Sequence, residues 1–201
     1  MIKAIVFDFD GVLVDSFSAC YIPASMKYED LSPEEYKSWF LGNIYEKKTT
    51  KKIKNENFDF LTTYSTILST ITPNQGVIDL LKELSKTHTL FINSSSPKKF
   101  IHDYLKKHDL DKSFVEILGF EVSTSKVEKF EYLFNKYNLK HHDCVFITDT
   151  VGDILEANHL NIKTIAVEFG FHDRKKLEQG KPFKIISNFQ ELTPLLMDLN
   201  H

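Results

Sequence analysis

Short, wholly apolar runs alternate along this chain with longer segments whose apolar residues recur at helical spacing. Ala4 to Phe7 is an apolar run that ends in acidic residues, and it predicts a buried parallel strand. Pro73-Asn74 then opens a helical pattern in which Val77, Ile78, Leu80, Leu81 and Leu84 share one face. Leu90 to Ile92 predicts a second strand, and Pro97 starts a helix with Phe100, Ile101, Tyr104 and Leu105 as its stripe. Val115 to Phe120, Cys144 to Ile147 and Thr164 to Val167 predict three more strands, and Phe183 to Ile186 a sixth. Helices are expected from about Lys126, through Ile154, Leu155 and Ala157, and around Glu191 to Leu199. Strand and helix in this alternation predict an α/β protein with a doubly wound, Rossmann-like parallel sheet.

Residues from about 16 to 72 break the alternation. Ser32-Pro33-Glu34-Glu35 reads as a helix start, with Tyr36, Trp39, Phe40 and Ile44 at helical spacing behind it, and Phe58 to Ile71 as a further helix. The expected organisation is a core of residues 1–15 and 73–201 with a small helical cap of residues 16–72. The lysine-rich stretch from Glu46 to Glu56 reads either as a solvated face or as a recruiter of anionic substrate.

Charge and composition narrow the function. The 201 residues carry 25 Lys and Arg against 28 Asp and Glu, a net charge of −3. A mildly acidic chain gives no support for nucleic acid as a partner. Arg174 is the only arginine, so sites that need a guanidinium fork are almost excluded. No apolar run is long enough to span a bilayer, and Asp8 and Asp10 interrupt the N-terminal apolar stretch where a leader would have to run unbroken. Cys20 and Cys144 are far apart with no CxxC or zinc spacing, which fits a reduced, cytoplasmic protein. His141-His142 reads as a solvated turn before a strand. Oligomeric state is open, a monomer being the simpler expectation.

Open parallel sheets bind ligands at the carboxyl ends of their strands. There the sequence places Asp8 and Asp10, Ser94 and Ser95, and Asp149 and Asp153. Carboxylates gathered on one edge repel and raise one another's pKa, and a divalent cation relieves that. All-oxygen ligands with retained waters point to Mg²⁺ rather than zinc.

In these residues the chain resembles the haloacid dehalogenase-like hydrolase superfamily, mainly phosphatases. The resemblance rests on Asp8-Phe9-Asp10-Gly11-Val12-Leu13, on Phe91-Ile92-Asn93-Ser94, on a lysine at Lys126 and on Thr148-Asp149-Thr150-Val151-Gly152-Asp153. It implies Asp8 as nucleophile, Asp10 as general acid and base, and Ser94 and Lys126 as groups on the phosphate. It also implies Mg²⁺ held by Asp8, the Asp10 carbonyl and Asp149, with Asp153 orienting ligands or waters. Lys129, one turn beyond Lys126, competes for the lysine position. Backbone N–H groups near Phe9, Asp10 and Ser95 would complete the phosphate cradle.

Two positions depart from the family pattern: Thr148 stands where a glycine is usual, and Val127 where a proline is common. Neither removes a catalytic group. The implied activity is Mg²⁺-dependent hydrolysis of a small phosphorylated metabolite, phosphoglycolate phosphatase-like, through an aspartyl-phosphate. A sugar phosphomutase of the same fold ranks lower, because residues 16–72 lack an arginine for a second phosphate. A non-catalytic binding or regulatory protein is the alternative from another class. A phosphatase acting on nucleic-acid ends or on proteins is disfavoured by the acidic charge and the cap, though the lysine-rich stretch keeps it open. Dehalogenation is disfavoured because Asp10 is present.

Overall fold

The computed structural model describes residues 2–199. Six strands form one parallel sheet: β1 (Ala4–Phe7), β2 (Thr89–Asn93), β3 (Glu116–Leu118), β4 (Cys144–Thr148), β5 (Lys163–Val167) and β6 (Lys184–Ile186), in the spatial order β3-β2-β1-β4-β5-β6. The helices are α1 (Phe17–Lys27), α2 (Pro33–Ser38), α3 (Phe60–Leu68), α4 (Gln75–Leu84), α5 (Lys98–Lys107), α6 (Lys126–Tyr137), α7 (Val151–His159), α8 (Arg174–Leu177) and α9 (Leu192–Asp198). Each expected strand is present to within a few residues.

The sheet is buried on both faces because alternate side chains along each strand meet different helices. Ile5 and Phe7 pack with Val77 and Leu81 of α4, Ile101 and Leu105 of α5, and Leu192 and Leu196 of α9. Ala4 and Val6 join Phe130 and Leu133 of α6 and Ala157 of α7 on the other side. β1 pairs with β2 on one flank and β4 on the other, so the chain winds away from it in both directions. That reversal opens a crevice at the carboxyl ends of β1, β2 and β4.

Between β1 and α4 lie three helices outside the sheet. The Ser32 hydroxyl accepts from the Glu35 N–H at 3.2 Å, as its sequence context predicts, and Asp59 caps α3 by accepting from the Thr62 N–H at 3.0 Å. Helix α1 was not expected. It contains Pro23, and its buried residues are mostly small: Ala19, Cys20, Pro23 and Ala24. Close packing against α3 holds it in place of an apolar stripe. The lysine-rich stretch is a loop tied to the chain just after α1 by an antiparallel bridge, Tyr28 to Ile53. Lys51 pairs with Glu35 at 2.8 Å and donates to the Asp30 carbonyl at 2.7 Å.

Candidate active site

Asp8 follows β1 directly, and Asp10 is two residues on, in a tight turn. Gly11 has φ +75°, and a Cβ there would collide with the Asp149 carboxylate. Gly170 meets Asp149 from another direction and would collide in the same way. Asp149 follows β4 and is completely buried in this two-glycine cradle. One of its oxygens, Oδ2, accepts from the Phe171 N–H at 2.6 Å; the other, Oδ1, is buried with no hydrogen-bond partner.

Helix α6 brings in the lysine. Ser125 caps it by accepting from the Glu128 N–H at 3.4 Å, and Glu156 of α7 accepts from the Lys126 N–H at 2.9 Å. Lys126 is 2% exposed. Its Nζ lies 2.8 Å from Asp8 Oδ2 and 2.8 Å from Asp153 Oδ2, and donates to the Asn93 carbonyl at 3.1 Å. Lys129 is also buried, but its Nζ donates to the Ser94 carbonyl at 2.6 Å. Lys126 is therefore the lysine in contact with the first strand-end carboxylate, while Lys129 braces the loop after β2. Asp153 meets this lysine, and the Thr148 hydroxyl donates to the same Asp153 oxygen at 2.6 Å. The threonine in place of glycine thus holds Asp153.

The charges follow from burial and pairing. Burial pushes the Asp8 carboxyl well up; the Lys126 ammonium opposes this, and Asp153 and Asp149 add to the rise. Asp149 is raised to about 8 by burial, with the Phe171 N–H opposing. For Asp153, burial works upward, but Lys126 and the Thr148 hydroxyl prevail and lower it. Lys126 is raised because its two carboxylates outweigh its burial. Lys129, without a carboxylate in contact, is lowered to about 8 by burial and by the neighbouring Lys126 charge.

Asp10 has a set of partners that sequence reasoning did not find. Its Oδ1 accepts from the Ser16 hydroxyl at 2.6 Å, the Tyr64 hydroxyl at 2.9 Å and the Cys20 thiol at 3.6 Å, while Oδ2 accepts from the Ser96 hydroxyl. Ser16, Cys20 and Tyr64 belong to the segment expected to form the cap. Ser94 is buried and borders the cavity, its oxygen accepting from the Ser96 N–H at 3.1 Å. The Phe9 N–H, expected in the phosphate cradle, donates to Asp8 Oδ1 at 2.6 Å. Other contacts seat the helices over the sheet: Tyr45 donates to the Ser95 carbonyl at 2.6 Å, and the His172 ring joins the Val151 N–H to the Lys37 carbonyl at 3.0 and 2.9 Å.

These residues fit a hard divalent cation. A buried carboxylate oxygen lacks a partner, and two carboxyls are raised by burial where a cation would favour their charged forms. Among the described residues no three His, Cys, Asp or Glu side chains form a ready-made cluster. The set implied by the family resemblance, Asp8, Asp149 and the Asp10 carbonyl, leaves room for retained waters and would suit Mg²⁺, which keeps part of its hydration.

Aspartates after β1 and β4, with a buried lysine bridging Asp8 and Asp153, thus form one centre at the carboxyl edge of a parallel α/β sheet. The family model for haloacid dehalogenase-like hydrolases matches residues 5–167, and the chain belongs to that family. A phosphoglycolate phosphatase of Vibrio parahaemolyticus is 23% identical, over 95% of this chain and 94% of its own. A 5′-nucleotidase of Pseudomonas aeruginosa is 25% identical, over 81% of this chain and 69% of its own. Among solved structures, a haloacid dehalogenase-like hydrolase from Streptococcus pneumoniae superposes with a TM-score of 0.78 at 20% identity, covering 97% of this chain and 98% of the other. Among the described residues no helix is long and apolar enough to cross a membrane.

Proposed function

We propose that the protein is a Mg²⁺-dependent phosphomonoesterase that works through an aspartyl-phosphate on Asp8. The observation that carries this is the Lys126 ammonium placed between Asp8 and Asp153, beside an Asp149 oxygen with no partner. The relatives' names, a phosphoglycolate phosphatase and a 5′-nucleotidase, support a small phosphorylated substrate.

In this reading an Asp8 oxygen attacks phosphorus in line. The Asp8 O–P bond forms as the P–O bond to the alcohol breaks, and protonated Asp10 gives its proton to the departing oxygen. The Asp10 carboxylate then takes a proton from water, whose oxygen attacks the phosphoryl group and frees Asp8 and inorganic phosphate. Lys126 offsets negative charge on Asp8 and the phosphoryl oxygens, and the Ser94 hydroxyl donates to the phosphate. Asp8, Asp149 and the Asp10 carbonyl would hold Mg²⁺, which would neutralise charge between two anions that must meet. Asp153 keeps Lys126 aligned. The helices of residues 16–72 act as a cap that excludes water from the first step.

The test is hydrolysis of acetyl phosphate and p-nitrophenyl phosphate with Mg²⁺, with chelator, and with Asp8→Asn. Activity that needs both Mg²⁺ and Asp8 is expected. Full activity in excess chelator, or in a rigorously purified Asp8→Asn protein, overturns the reading.

A further inference from the structure

Above Asp8 the cavity encloses about 380 Å³, near the lower end of small-molecule pockets. Its charged lining residues are all acidic: Asp8, Asp10, Asp149, Asp153 and Glu156. Among the described residues no lysine, arginine or histidine lines it. Lys126 lies beneath, its ammonium already divided between Asp8 and Asp153. The lysine-rich loop contributes nothing to the lining, and its Lys51 is committed to Glu35. Glu156 is occupied as well, accepting from the Lys126 N–H at 2.9 Å and the Asn43 side-chain amide at 3.4 Å.

The rest of the cavity is largely rings. Tyr36, Phe40, Phe60 and Tyr64 come from the helical layer, and Phe120 and Phe171 from the loops after β3 and β5. Tyr36 meets Phe40 edge-to-face at 5.3 Å and 81°, and Phe40 meets Phe171 at 5.1 Å and 87°. This interlocked chain makes a stiff wall from cap to core. Tyr45, anchored through its hydroxyl to Ser95, sets its ring 6.4 Å from that of Phe120 on the exposed side.

We propose that this cavity selects phosphomonoesters whose alcohol part is uncharged and carries a ring, and turns away those whose alcohol part bears a carboxylate or a second phosphate. The proposal rests on the phosphatase reading above and adds the substrate class. One anionic group, the phosphate, would be met at the floor by Mg²⁺ and the Ser94 hydroxyl, with the Lys126 charge just beneath, as in the reading above. A second anion on the alcohol would lose its water among rings and acids, where the lining offers no cation beyond the Mg²⁺ and Lys126 that serve the phosphate. An aromatic or heteroaromatic ring would instead exchange water for edge and face contacts. By this argument phosphoglycolate, with a carboxylate one carbon from the ester oxygen, is a poor substrate despite the name of the relative above.

The experiment compares kcat/KM with Mg²⁺ for benzyl phosphate, ethyl phosphate and phosphoglycolate, with acetyl phosphate as the common control. Benzyl phosphate should exceed ethyl phosphate by about tenfold or more and phosphoglycolate by about 100-fold or more, in line with the selectivity that apolar burial and unpaired polar groups produce in enzyme pockets. The same order should appear without turnover, as a larger melting-temperature rise of Asp8→Asn with benzyl phosphate than with phosphoglycolate at equal concentration. Leu61 lines the cavity and is 42% exposed, so Leu61→Lys adds a cation at a tolerant position. It should narrow the ratio of benzyl phosphate to phosphoglycolate by about tenfold. Turnover of acetyl phosphate with phosphoglycolate equal to or better than benzyl phosphate overturns the proposal and leaves the phosphatase reading standing. No turnover of any phosphate, acetyl phosphate included, overturns the phosphatase reading and the substrate class with it.

Discussion

On the floor of the cavity Lys126 sits 2.8 Å from each of two carboxylates, Thr148 holds one of them, and Asp149 is wedged between two glycines. Along the walls, Tyr36, Phe40 and Phe171 interlock edge-to-face with no charge among them. The floor is made of charges brought out of water and arranged against one another, which is how a site stabilises charge that develops during reaction. The walls offer burial and shape. In the proposed reading the floor carries the reaction and the walls choose the substrate, so that wall residues can change while the charges beneath them stay in place.

The largest effect should come from the floor. Asp10→Asn removes the group assigned to both proton transfers, and steady-state turnover of benzyl phosphate should fall about 10²- to 10⁴-fold. Binding should persist, since the rings are untouched. A loss below tenfold on this poor leaving group would assign the proton to another residue. A similar rise in KM would place Asp10 among the groups that bind substrate.

Mg²⁺ probes the same region through stability. An ion that binds the native arrangement and not the unfolded chain stabilises by mass action, about 2.7 kcal/mol at a hundred times its Kd. For a chain of this size that is roughly 5–10 °C in Tm. Asp149→Ala should lose both this shift and the activity, whereas Phe40→Leu in the wall should keep the shift. A Tm insensitive to Mg²⁺ in the native protein would remove the cation from the floor.

The two buried lysines sharpen the comparison within one helix. Lys129 is held near 8 against an ordinary value of 10.5. Its native pKa is the lower one, so between these values the unfolded chain binds more protons, and its contribution to stability rises with pH across that window. The whole difference corresponds to about 3 kcal/mol. Lys129→Met removes it: the variant's stability relative to native should be highest near pH 7 and decline toward pH 10, read from paired thermal melts. A difference independent of pH would mean that Lys129 is charged and stably paired. Lys126 has the opposite shift, and Lys126→Met should destabilise by leaving Asp8 and Asp153 face to face.

The floor was largely legible because its residues follow apolar runs. A strand ending in Asp8-Phe9-Asp10-Gly11 and another ending in Thr148-Asp149 announce their position locally, and the parallel sheet brings the two ends together. Lys126 and Lys129 were harder to separate, since both lie at the start of one helix and face inward; only the tertiary contacts distinguish a carboxylate from a carbonyl partner. The walls were less legible. Helix α1 packs through small residues around Pro23, so it shows no stripe. Tyr64, Ser96 and Glu156 act through partners 54, 86 and 30 residues away, a convergence that no periodicity encodes.

Tyr64 belongs to both regions, which makes it the finest test of the division between them. Its ring lines the wall, while its hydroxyl donates to Asp10 Oδ1 at 2.9 Å. Tyr64→Phe keeps the first and removes the second. Ser16, Cys20 and Ser96 remain as donors to Asp10, so the acid should keep its place with a looser hold. One hydrogen bond among four is worth about 1 kcal/mol, and kcat should fall by about tenfold or less. KM for benzyl phosphate should not change, because the ring that meets substrate is still there. Tyr64→Leu, which removes the ring as well, should raise KM in addition. If Tyr64→Phe instead raises KM and spares kcat, the hydroxyl contacts the substrate rather than the acid, and floor and wall are less separate than the geometry of Asp10 implies.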